Sequence, residues 1–88
     1  MMTNIDFCYW LQGYFEIGEK THLTIDKINT IQGMLNKIEE PLGQFTQWLA
    51  NLFQYFEEQN YQQPIIDFFE KEIKNELNQL FHHVVENE

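Results

Sequence analysis

Apolar residues in this chain recur at steps of three and four, in four successive blocks, and prolines and glycines interrupt them only sparsely. A step near 3.6 puts one side of a helix against a core, whereas a half-buried strand needs alternation every second residue. The period therefore predicts an all-α chain, a compact bundle of about four helices over roughly 5–17, 25–39, 42–59 and 64–86, with no strand.

Each block carries its own punctuation. In the first, Phe7, Trp10, Leu11, Tyr14 and Phe15 follow the i, i+3, i+4, i+7, i+8 pattern of one buried face. Thr3 or Asn4 can cap its start, Asp6 suits the positive end of the helix dipole, and Gly18 suits its termination. Gln12, Gly13, Glu16 and Lys20 mark the wet side. The buried face is the expected keystone of the fold, and Trp10→Ala is expected to cost about 3–5 kcal/mol. The second block opens on Thr24 as N-cap with Asp26 behind it, and Ile28, Ile31, Leu35 and Ile38 form a narrow aliphatic stripe. Gly33 inside that stripe either costs helix stability or permits a close approach.

Pro41 disfavours helical geometry at Glu40 and suits the first turn of a third helix, whose face is Leu42, Phe45, Leu49, Leu52, Phe53 and Phe56 with Trp48 and Tyr55 at the edges. Pro64 opens the last block. There Ile66, Phe69, Ile73, Leu77, Leu80 and Val84 trace a near-heptad seam that Phe68, Phe81 and Val85 widen. Such a seam serves an intramolecular bundle or a homodimer equally well. Glu70 and Lys74 form a favourable i, i+4 pair.

Eighty-eight residues are the length of one domain, and a chain this short needs an efficient core. Its 8 Phe, 4 Tyr and 2 Trp supply that core and exceed what it can bury completely. The balance of charge is −9, with five lysines and no arginine. Phosphate clamps and base-edge readout rely on arginine and on a basic stripe, so direct binding of nucleic acid is not expected. An acidic surface instead fits a basic groove on another protein. A lone cysteine, no membrane-length apolar run and no basic leader point to the cytoplasm.

Candidate chemistry is sparse. Cys8 near a helix start gains some thiolate character, but Leu11 and Phe15 follow it on the same side, so a buried structural thiol is expected. His82 and His83 with Glu86 have partial metal-ligand spacing, yet adjacent histidines diverge by about 100° on a helix and four ligands are not in register; Glu72, Glu76 and His22 add no recognised spacing. The carboxylate pairs Glu39–Glu40, Glu57–Glu58 and Asp67–Glu70 read as solvated charge. No phosphate loop, nucleophile elbow or HExxH is present. The expectation is a protein without enzymatic activity, cofactor or metal. The sharper candidates are for partner binding: the carboxylates Glu57, Glu58, Asp67, Glu70, Glu72 and Glu76, with the edge aromatics Trp48, Tyr55 and Tyr61.

Two segments carry a resemblance. FCYWLQGYFEI at 7–17 followed by LTIDKINTIQGML at 23–35 resembles the N-terminal part of a group of small bacteriophage- and prophage-encoded proteins, largely uncharacterised, whose first helix is of the CYWLQGYFE type. Cys8, Tyr9, Trp10, Leu11, Gln12, Gly13, Phe15 and Glu16 carry it, while Met34–Leu35 stands where the group has a His-Leu pair. The resemblance covers under half the chain and implies no activity or functional residue. It implies a phage context, in which small acidic proteins act on host machinery; anti-CRISPR and other anti-defence inhibitors are similar in size and charge. The expected function is thus binding and inhibition of a host protein, with a self-assembling homodimer as the alternative.

Overall fold

The computed structural model describes residues 1–17 and 22–86, with side chains through His82. It contains four helices: α1 (Asn4–Ile17), α2 (Ile25–Leu35), α3 (Gln44–Glu58) and α4 (Gln63–Glu86). The anticipated all-α bundle is what forms. Gly18 and Lys20, and the side chains of His83, Val84, Val85 and Glu86, lie outside the described residues.

α1 starts with a reciprocal cap. Thr3 Oγ1 accepts from the Asp6 backbone N–H at 3.2 Å, and the Asp6 carboxylate accepts from the Thr3 N–H at 3.1 Å. Thr3, not Asn4, is therefore the cap. Asn4 is used in three dimensions. Its backbone N–H and Nδ2 donate to Glu40 Oε1 at 2.6 and 2.9 Å, and Nδ2 also donates to the Pro41 carbonyl at 2.9 Å. Its Oδ1 accepts from the Gly43 N–H at 3.1 Å and from the Thr46 hydroxyl at 2.5 Å. That last bond, with a longer one from the same hydroxyl to the Gly43 carbonyl at 3.3 Å, lets Thr46 sit 2% exposed in the core.

These contacts correct two expected boundaries. α2 begins as anticipated, with Thr24 Oγ1 accepting from the Lys27 N–H at 3.4 Å, but stops at Leu35 and does not run to Glu39. Ile38 leaves the helix to make a parallel bridge with Met2, and the Glu39 N–H donates to the Met2 carbonyl at 3.0 Å. α3 begins at Gln44, not 42: Pro41 to Gly43 is fastened to Asn4, Gly43 is the N-cap, and Leu42 lies exposed outside the helix.

α3 ends in a Schellman turn. The Asn60 N–H donates to the Glu57 carbonyl at 3.0 Å and the Tyr61 N–H to the Phe56 carbonyl at 2.8 Å. Both Asn60 (φ 56°) and Tyr61 (φ 52°) are left-handed, and the Tyr61 ring packs on the core. This tight reversal sends α4 back along α3. α1 packs on α2, α2 on α3 and α3 on α4. The ring closes where Tyr9 meets Phe81 at 4.9 Å and Lys74 lies 5.5 Å from the centre of the Phe15 ring.

One cluster of buried side chains fills the centre. Phe7 and Leu11 of α1, Ile28 and Ile31 of α2, Leu49, Phe53 and Phe56 of α3, and Ile66, Ile73 and Leu77 of α4 meet there. Of the expected face of α1, Phe7 and Leu11 are fully buried, whereas Trp10, Tyr14 and Phe15 pack at the edge of the core only half-buried. Phe68, expected to widen the α4 seam, points outward and is 74% exposed. No space-limiting contact surrounds Gly33: nothing comes within 4 Å of the position a Cβ would take, so no close helix approach depends on it. Among the described residues, no helix is long and apolar enough to cross a membrane.

Candidate functional site

The strongest concentration of exposed rings lies along the α3–α4 seam. Trp48 and Tyr55 are seven residues apart, two turns on one edge of α3. Across the seam, Phe68, Glu72 and Glu76 rise in a single i, i+4 row on the outer side of α4. The rings form a ladder from core to solvent. Phe56 in the core is 6.0 Å from Phe69, Phe69 meets Tyr55 edge-on at 6.0 Å, and Phe69 meets Phe68 edge-on at 5.0 Å. Edge-to-face contacts of this kind hold exposed rings in defined orientations. Farther along, Phe45 and Trp48 lie 5.9 Å apart and, with Glu76 and Leu80, line a cleft of about 440 Å³.

The surface is thus aromatic along its floor and anionic along its α4 edge. Glu57 and Glu58 add charge at the end of α3, where both are exposed and no basic residue sits in the last turn. Carboxylates at the negative end of a helix dipole cost about 0.3–1 kcal/mol each. Their placement opposes local helix stability.

The nine residues anticipated for partner binding divide between locations. Trp48, Tyr55, Glu72 and Glu76 share the seam. Glu57 and Glu58 border its far end. Tyr61 is half-buried and serves the α3–α4 turn. Asp67 and Glu70 occupy the other side of α4. There Asp67 Oδ1 accepts from Gln63 Nε2 at 2.8 Å, while Glu70 accepts from the Leu23 N–H and pairs with Lys74 at 3.6 Å. Phe68, Phe69 and Phe45 complete the surface. For the first two a sequence signal existed: consecutive Phe68 and Phe69 diverge by about 100° on a helix, so the pair reaches the border of the buried face.

The other chemical candidates fare differently. Cys8 is 3% exposed, and burial pushes its thiol up to about 11. A thiol so protonated and enclosed is no nucleophile. His82 is exposed on the last turns of α4, but the rest of its anticipated cluster lies outside the described side chains. No known protein family, curated protein or solved structure matches the chain.

Proposed function

We propose that this chain is a non-enzymatic acidic binding protein, of bacteriophage or prophage origin, that engages and inhibits a basic host protein such as one that handles nucleic acid, defence proteins included. The observation that carries the reading is Phe68, 74% exposed and held edge-on against Phe69 within one turn of Glu72. Large rings that remain wet beside carboxylates match the anatomy of a binding surface, with an apolar centre and a polar rim. The −9 charge of the chain favours a partner of opposite sign and speeds encounter with it. Glu57 and Glu58, unfavourable for their own helix, support a use outside the fold. The N-terminal resemblance supports the phage context. A homodimer would use the last helix and the aromatic edge, but Ile66, Ile73 and Leu77 of the α4 stripe are buried within the bundle. The row left outside carries carboxylates that repel their own copy.

The test compares immobilised wild-type protein with Phe68→Ser and with Glu72→Lys/Glu76→Lys in bacterial host lysate. A basic, nucleic-acid-handling protein retained by the wild type and lost by both variants is the expected result. Its nucleic-acid binding is then expected to fall on addition of the wild type. A captured set that neither variant alters counts against the surface.

A further inference from the structure

We propose that His22, Asp67 and Glu70 form a binding site for a divalent transition metal of the zinc class, at the corner where the residues preceding α2 meet α4. One ligand atom from each residue lies within 4.8 Å of the other two. Asp67 and Glu70 stand at i, i+3 on one side of α4, and His22 reaches them from the segment just before α2. An imidazole nitrogen with carboxylate oxygens suits zinc, cobalt or manganese, and three protein ligands leave a position for water.

The corner is held together independently of any ion. Leu23, next to His22, is buried, and both sides of its peptide are tied to α4 residues. Its N–H donates to Glu70 Oε1, and its carbonyl accepts from Gln63 Nε2 at 2.6 Å. Gln63 Nε2 also donates to Asp67 Oδ1 at 2.8 Å. One side chain thus orients a ligand carboxylate and the backbone that delivers the histidine. Outer contacts of this type commonly set the geometry of metal ligands. His22 is exposed, so its ring can turn toward the held carboxylates and close to the roughly 2.0–2.2 Å bonds that zinc requires.

The charges permit it. Lys74 balances Glu70 at 3.6 Å, and Lys27 Nζ donates to the His22 carbonyl at 3.0 Å. Lys74 is the direct competitor for Glu70, yet a partly exposed ion pair contributes little and yields to a divalent ion. The site lies across α4 from the Phe68–Glu72–Glu76 row, so it stands or falls separately from the partner-binding surface.

Tag-free protein titrated with Zn²⁺ by calorimetry, and with Co²⁺ followed by its visible absorption, tests the assignment. One ion per chain is expected. His22→Ala and Asp67→Asn are expected to weaken binding at least tenfold, in line with loss of a ligand. Lys74→Met is expected to tighten it severalfold by removing the competitor. His82→Ala/His83→Ala is expected to leave it unchanged. Metal-free thermal melts of each variant establish that the fold is retained; His22 is exposed, so its variant keeps the core. No uptake at micromolar Zn²⁺, uptake unaffected by His22→Ala, or uptake lost only with His82 and His83 overturns the proposal.

Discussion

Asn4 shows how one short polar side chain can decide a junction. Its Oδ1 accepts twice and its Nδ2 donates twice, so its amide is used to capacity. Asn4→Ala removes these side-chain bonds and keeps only the backbone N–H bond to Glu40, leaving the Thr46 hydroxyl only its 3.3 Å bond to the Gly43 carbonyl. The expected cost is about 2–3 kcal/mol, read as a fall of roughly 10–20 °C in Tm. Asn4→Asp is no rescue, because it removes both donors and sets a carboxylate against Glu40. The sequence marks Asn4 only as a candidate cap, since that role depends on neighbours three residues away. Its real partners lie about forty residues downstream, where no local pattern reaches. Cys8 is the opposite case, its burial legible from Leu11 and Phe15 on the same side. It has a pH consequence. Below its ordinary value of 9.0 the thiol is protonated in folded and unfolded chain alike. Above that the unfolded chain releases the proton, which the folded chain keeps up to about 11. Stability should therefore decline as pH rises from 9.0 through about 11, and Cys8→Ala should flatten that part of the curve in urea titrations.

The helices themselves were legible because a 3.6-residue period is a local property. Their ends were legible only where the stop signal is local too. Thr24 caps α2 through a residue three positions on, and it does so as anticipated. The far end of α2 is set by Met2, which draws Ile38 and Glu39 into extended backbone, and the stripe Ile31–Leu35–Ile38 carries no trace of that competition. Space around a residue is equally non-local. The open surroundings of Gly33 turn it into a simple helix defect, so Gly33→Ala should stabilise the protein by about 0.5–1 kcal/mol in chemical denaturation. The reordering of α1 can be measured in the same way. Phe7→Ala, at a fully buried ring, should cost about 3–5 kcal/mol, and Trp10→Ala, at a half-buried one, clearly less. Equal losses would return Trp10 to full membership of the buried face that the spacing of α1 predicts.

For the molecule as a whole, composition spoke plainly and arrangement did not. An excess of rings and a charge of −9 are visible in the chain, but the division of its carboxylates between two sides of α4 depends on which side packs inward. Ile66, Ile73 and Leu77 settle that, leaving Glu76 beside Trp48, with Glu72 one turn away on the same row, and sending Glu70 to Leu23. If charge steers the proposed partner, the association rate should fall severalfold between low and physiological salt while dissociation changes less, as surface plasmon resonance would resolve. The positions of the two tryptophans add a built-in optical reporter. Trp48 lines the cleft beside Glu76, whereas Trp10 is stacked on Tyr14 at 5.0 Å, on a side of α1 turned away from the Tyr9 edge that meets α4. In a Trp10→Phe protein all indole emission comes from Trp48. A shift in its wavelength would then signal an occupied seam, while the complementary Trp48→Phe protein would stay dark to docking and report only unfolding.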